Sequence, residues 1–171
     1  MNNEGVGSNS PVNQTRFATT PNQRIEILRK YRRIAMVGLS ANQYRPSHFA
    51  AIYMKAAGYE IFPVNPREKE ILGEKSYASL RDVPEHVDIV NVFRAPDAVP
   101  GIAREAVAIG ANALWCQFTV ISAEGARIAE EGGLAVVMDR CIKVEHARYV
   151  GRMHWLGFNT ERITSQRGRL Q

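Results

Sequence analysis

The stretch IAMVGLSANQYRPSHF, residues 34–49, decides the fold. Its opening apolar run, residues 34–37, ends at Gly38 and predicts a short strand buried on both faces. A polar loop follows, and the apolar residues of 49–57 then recur at helical spacing until Gly58, a glycine typical of a helix C-terminus. One buried strand followed by one helix is the repeating unit of a parallel α/β sheet.

The same alternation continues along the chain. Further strands are predicted at 59–64, 87–93, 113–116 and 134–138, and further helices at 21–31, 96–109, 122–132 and from about Ile142. Residues 67–84 are mixed in character and are expected to pack beneath the sheet edge. We therefore expect a three-layer, Rossmann-like, doubly wound parallel sheet of about five strands, most simply in the order 3-2-1-4-5.

The domain boundaries follow from composition. Residues 1–19 are polar and aperiodic and predict a flexible tail, residues 20–160 form the Rossmann-like domain, and residues 161–171 form a basic C-terminal tail. Trp155 is interpreted as a core or dimer-packing residue, so a second copy of the chain is one candidate partner.

Charge and cysteine content narrow the classes of partner. The 171 residues carry 22 Lys and Arg against 17 Asp and Glu, a net charge of +5 that favours anionic partners. Aromatic residues do not alternate with the cations and no nucleic-acid-binding motif is present, which argues against nucleic acid. No signal peptide or membrane-spanning run is visible, and two cysteines make no disulfide framework. We expect a cytoplasmic protein.

A ligand of a doubly wound sheet binds outside the carboxyl ends of the strands, so the loops that follow the strands are the candidate site. Gly38 allows close approach of the backbone, Ser40 and Ser47 offer hydroxyls, and Arg45 precedes a helix whose free amides favour phosphate. The other candidates in these loops are Leu39, Asn65, Pro66, Arg67, Phe93, Arg94 and Gln117. Together they predict a phosphate-binding rim.

A dinucleotide cofactor is disfavoured by the same loops. Gly38 is the only glycine between the first strand and its helix, so the second and third glycines of G-x-G-x-x-G are missing. Asn65 stands where an NAD-binding domain carries an acidic residue for the ribose hydroxyls. Arg67 and Lys69 instead suit a phosphorylated ribose, although ordinary surface cations would look the same.

Four motifs carry a family resemblance, in order VGLS with RPSH, GYEIFPVNP, VDIVNVFR and VMDRCIKVEH. The chain resembles the CoA-binding domain family of small bacterial proteins, which is similar in fold to the amino-terminal domain of the succinyl-CoA synthetase alpha subunit. The resemblance implies that residues 38–40 line the pyrophosphate site, that Asn65 and Pro66 flank the adenosine end, and that Phe93 and Arg94 close the pocket. Residues 41–45 replace the glycine-rich loop of the synthetase, and its ligase activity is not carried over.

The favoured interpretation is a protein that binds coenzyme A or a short acyl-CoA, with no catalytic group assigned. One alternative is an enzyme that uses Cys141, at the start of the last helix, on a CoA thiol, thioester or disulfide. Cys141 with Glu145 and His146 could also form a metal site, but no second His or Cys lies nearby, and none is predicted. His48 could donate to phosphate. An NAD-sensing regulator is the remaining alternative.

Overall fold

The computed structural model describes residues 20–151. The predicted tails at 1–19 and 161–171, the end of the predicted domain and Trp155 lie outside the described residues. No helix in the described part of the chain is both long and apolar enough to cross a membrane.

Strands and helices alternate as the sequence predicts. The helices are α1 (Pro21–Lys30), α2 (Pro46–Ala56), α3 (Val99–Ala108), α4 (Ala123–Glu131) and α5 (Ile142–Tyr149). The strands are β1 (Arg33–Val37), β2 (Glu60–Val64), β3 (Glu70–Ile71), β4 (Glu74–Lys75), β5 (Ile89–Val92), β6 (Ala113–Cys116) and β7 (Ala135–Val137).

Five strands form one parallel sheet in the spatial order β2-β1-β5-β6-β7, and β3 and β4 form a separate antiparallel pair. A parallel bridge from Val64 to Tyr77 lies beside β2. The five-stranded parallel sheet confirms the Rossmann-like fold class. The strand predicted at 87–93 is β5, which pairs with β1, and the bridge at Tyr77 takes the position outside β2.

Helices cover both faces of the sheet, which makes three layers. On one face, α3 and α4 pack on a core that includes Val90, Val92 and Leu114. On the other, α1, α2 and α5 cover Ile34 and Trp115, among others. Every residue of β5 and β6 is buried, so both strands face a core on each side.

Local signals define the helix ends. Thr20 caps α1 in a capping box with Gln23, and the Ser122 hydroxyl accepts from Gly125 N at 3.1 Å at the start of α4. Gly58 follows α2 with φ +91°, as expected for a glycine at a helix C-terminus.

The apolar repeat in α2 identifies the helix, but two of its large members face outward. Phe49 is 53% exposed and Ile52 is 45% exposed. The helix instead buries small residues, Ala50 and Ala51, together with Met54. Small side chains let α2 pack closely on the core formed with β1.

A buried ion pair ties the first helix to the last. Arg24 Nε lies 2.7 Å from Glu145 Oε2, and both side chains are almost completely buried. The contact fixes α5, and hence the loop that precedes it, relative to the amino-terminal half of the chain.

Candidate functional site

The carboxyl ends of the central strands surround an open cavity of about 680 Å³. This is the position expected for the ligand site of a doubly wound sheet. Eight of the residues predicted from the sequence line it: Gly38, Ser40, Arg45, Ser47, Arg67, Phe93, Arg94 and Gln117. The structure therefore brings most of the strand-end candidates into one cavity.

At Gly38, the loop after β1 lies against the loop after β5. Its φ is +84°, and its N–H donates to Val64 O at 3.0 Å. A Cβ at this position would lie 2.9 Å from Arg94 Cδ and 3.1 Å from Phe93 O. Only glycine combines this backbone conformation with this spacing, so the loops after β1 and β5 meet here without a side chain between them.

The loop between β1 and α2 is held by hydrogen bonds from its main chain to serine hydroxyls. Ser47 Oγ accepts from Ser40 N at 3.2 Å, and Ser40 Oγ accepts from Asn42 N at 3.1 Å. His48 Nδ1 lies 2.9 Å from Ser40 O; because a carbonyl can only accept, this nitrogen carries the proton. His48 is buried and does not line the cavity, so it stabilises the loop through this hydrogen bond.

The first turn of α2 is open toward the cavity. Its N-cap residue, Arg45, makes no side-chain capping bond, and the turn contains no acidic residue. Arg45 N–H donates to Asn42 O at 3.0 Å, His48 N–H donates to Arg45 O at 3.0 Å, and Pro46 has no N–H, so among the described residues Ser47 N–H is the amide of this turn that remains for a ligand. A free amide at the positive end of a helix favours a bound anion.

Three sequence candidates do not line the cavity. Leu39 is fully buried in the core, whereas Pro66 is exposed at the start of the next loop. Asn65 holds the two neighbouring loops, because its Nδ2 donates to Leu39 O at 2.9 Å and its Oδ1 accepts from Arg67 N at 3.0 Å. Asn65 thus positions Arg67 from outside the cavity.

The charge of the cavity wall is positive. Arg45, Arg67 and Arg94 line it and are exposed, and none of the described residues in the wall is Asp or Glu. Lys69, the other cation considered for a phosphorylated ribose, is exposed but outside the wall. The cavity therefore favours a ligand with more than one negative charge.

The loops after β6 and β7 complete the wall and were under-represented among the sequence candidates. Gln117 is 5% exposed and donates from Nε2 to Asn91 Oδ1 at 2.6 Å. Thr119, with φ +68°, donates its N–H to Asp139 Oδ1 at 2.8 Å, which joins the two loops. The position of residues 118–120 directly after a strand was the available signal for them.

Cys141 also lines this cavity. It is partly exposed at the N-cap of α5, whereas Cys116 is buried within β6, where desolvation raises the thiol pKa to about 12. The two cysteines therefore differ sharply in access to the cavity.

The metal alternative at Cys141, Glu145 and His146 is not supported. Glu145 pairs with Arg24, and His146 Nδ1 lies 3.0 Å from the Tyr53 hydroxyl, with the pKa of His146 lowered first by burial and then by the Arg32 guanidinium. No group of three or more His, Cys, Asp or Glu suited to a metal occurs within residues 20–151.

Comparison with known proteins agrees with this geometry. The family model described as CoA binding domain matches residues 32–147, which contain all strands of the sheet and the whole cavity wall. The chain belongs to the CoA binding domain family. The resemblance inferred from the four motifs is thereby confirmed at the level of the family.

Relatives of this CoA binding domain include small proteins and a part of a large enzyme. An uncharacterized protein of Bacillus subtilis, YneT, is 45% identical over 122 residues, which are 71% of this chain and 90% of that protein. A hypothetical protein from Pyrococcus horikoshii has a TM-score of 0.76 at 34% identity, over 82% of this chain and all of that one. The ADP-forming acetate–CoA ligase II of Archaeoglobus fulgidus is 29% identical over 57% of this chain but only 15% of the ligase. These relations support a role connected with CoA.

Proposed function

We propose that the chain binds coenzyme A, or a short acyl-CoA, in the cavity at the carboxyl ends of the strands. The observation that carries the proposal is the cavity wall. Three arginines line one 680 Å³ space together with Ser47, whose N–H remains free at the start of α2, and with Gly38, where two loops meet. CoA brings a pyrophosphate and a 3′-phosphate, which such a wall recognises.

The pyrophosphate belongs at the loop between β1 and α2. Gly38 lets Phe93 and Arg94 lie against this loop, and Ser47 N–H in the first turn of α2 remains available to an anion. Ser40 and Arg45 line the cavity at this point and supply a hydroxyl and a guanidinium.

The 3′-phosphate belongs at Arg67. This arginine follows β2, at the outer side of the cavity, and Asn65 fixes its main chain. Losing a charge-assisted hydrogen bond costs about 1.5–3 kcal/mol, which corresponds to roughly 10- to 150-fold in affinity.

Titration calorimetry with CoA, 3′-dephospho-CoA and ATP tests the proposal. We expect CoA to bind at least about tenfold more tightly than dephospho-CoA, and Arg67→Gln to remove that difference. Lys69→Gln is the matched control, because Lys69 is a cation of the same loop outside the wall. Equal affinity for all three ligands, or no binding of CoA, would refute specific recognition.

A further inference from the structure

The cavity has two chemically different ends, and the strand order decides which residues lie at each. Arg67 follows the edge strand β2, Gly38 follows β1, Arg94 comes after β5, and Gln117 follows β6. Neighbouring strands lie about 4.8 Å apart, so the loops of β2 and β6 are separated by roughly 14 Å across the sheet. The wall thus runs from a cationic end near β2 and β1 to an uncharged end near β6.

Cys141 lies at the uncharged end. The residue before it is held there twice, since Arg140 N donates to Cys116 O at 3.2 Å and Trp115 Nε1 donates to Arg140 O at 2.7 Å. Both contacts are to β6 residues, so the thiol of Cys141 stands just beyond the end of that strand, where it lines the cavity.

An unpaired acceptor lies at the same end. The Gln117 amide is held through Nε2 by Asn91, and no residue within 20–151 donates to its Oε1. Gln117 is only 5% exposed and lines the cavity, and its Oε1 is not one of the fully buried atoms without a partner, so this oxygen is reached from the cavity. It can accept a hydrogen bond from a ligand donor such as an amide N–H.

A ligand that fits both ends carries phosphates at one end and an amide-containing arm with a thiol at the other. We infer that Cys141 exchanges disulfides with the thiol end of CoA, an inference that rests on the proposed function. In the step, the Cys141 thiolate attacks one sulfur of CoA disulfide. The S–S bond of the ligand breaks, a bond forms between Cys141 Sγ and that sulfur, and the second CoA leaves as a thiolate that takes up a proton.

The exchange balances without another oxidant, because the ligand disulfide supplies the oxidising equivalents. The protein gains one disulfide and the released CoA is the reduced product. The mixed disulfide places the CoA sulfur at Cys141 while the phosphates remain at the arginines, so noncovalent recognition directs the covalent step.

Intact-protein mass spectrometry of the full chain, incubated with CoA disulfide, tests this inference. We expect one CoA moiety per chain, removed by dithiothreitol, absent from Cys141→Ser and retained by Cys116→Ala. Cystamine, a small disulfide without phosphates, is the second probe. We expect its adduct to form at least tenfold more slowly than the CoA adduct at equal concentration.

Each outcome separates the inference from the proposed function. CoA binding by the wild-type chain is measured by calorimetry in reducing buffer, where no adduct forms. Binding without an adduct from CoA disulfide overturns the role of Cys141 and leaves the proposed function standing. Absence of binding overturns the proposed function. An adduct that persists in Cys141→Ser, or that forms equally fast with cystamine, also overturns directed exchange at Cys141.

Discussion

Replacing Gly38 by alanine tests the geometry of the site most directly. A non-glycine residue at φ +84° costs about 1–2 kcal/mol. The new methyl would lie 2.9 Å from Arg94 Cδ and 3.1 Å from Phe93 O, and overpacking of this kind costs about 1–3 kcal/mol. Alanine also restricts the unfolded chain, which returns about 0.4–1 kcal/mol. The net expected loss in the free energy of unfolding is therefore about 2–4 kcal/mol.

Gly58→Ala is the matched control, because Gly58 has φ +91° but a methyl group at this position would meet nothing within 4 Å. It shares the backbone strain without the steric conflict, so we expect a loss of only about 1 kcal/mol. Urea and thermal unfolding measure both variants. For a chain of this length, Gly38→Ala should lower Tm by roughly 5–15 °C and Gly58→Ala by roughly 2–4 °C.

The two variants should also differ in their affinity for CoA. The methyl at position 38 pushes Arg94 away from the cavity and blocks the approach of a phosphate, so we expect CoA to bind at least about tenfold more weakly to Gly38→Ala. Gly58→Ala should bind CoA like the wild type. Equal stability and equal CoA affinity in the two variants would refute the close-approach argument.

Three further predictions concern the framework that holds the site. Glu145→Gln removes the buried carboxylate that lies 2.7 Å from Arg24 and should cost about 3–5 kcal/mol in urea unfolding; a loss below about 1 kcal/mol would contradict a buried ion pair. The folded-state pKa of His146 is lowered from 6.5, so its contribution to the free energy of unfolding is present above that pH and is lost as the pH falls. His146→Gln should therefore weaken the fall in stability at acid pH, and an unchanged stability–pH profile would exclude His146 as a cause of that fall. Gly125→Ala places a methyl group 2.5 Å from a side chain of α3 and should destabilise the protein by about 1–2 kcal/mol in thermal unfolding. Gly101→Ala has open space around the new methyl group and should stabilise the protein by about 0.5–1 kcal/mol, so stability changes of the same sign in both variants would contradict close packing of α3 and α4.

The local rules of the sequence predicted individual elements well where a single physical cause dominates. Thr20 and Ser122 start helices because their hydroxyls satisfy free amides, and Gly58 ends one because it adopts a positive φ. These rules could not predict that Phe49 faces outward, because periodicity identifies an apolar stripe but does not show whether another element packs against it.

The candidate site could be predicted in outline for a topological reason. Loops after parallel strands meet at one edge of the sheet, so Gly38, Arg67 and Gln117 were expected to converge before any distance was known. Leu39 and Asn65 belong to the same loops but face the core or hold the main chain. Side-chain direction within a loop depends on tertiary contacts, which spacing does not encode.

By itself, the sequence determined the α/β alternation, the cavity at the carboxyl ends of the strands and the positive charge of its wall, because buried runs, helix caps and charge act locally. Only the tertiary structure decided that β5 lies beside β1, that Arg67 and Cys141 stand at different ends of one cavity, and that His48 supports a loop from behind. Those facts depend on which distant segments pack together, and packing is a property of the whole folded chain.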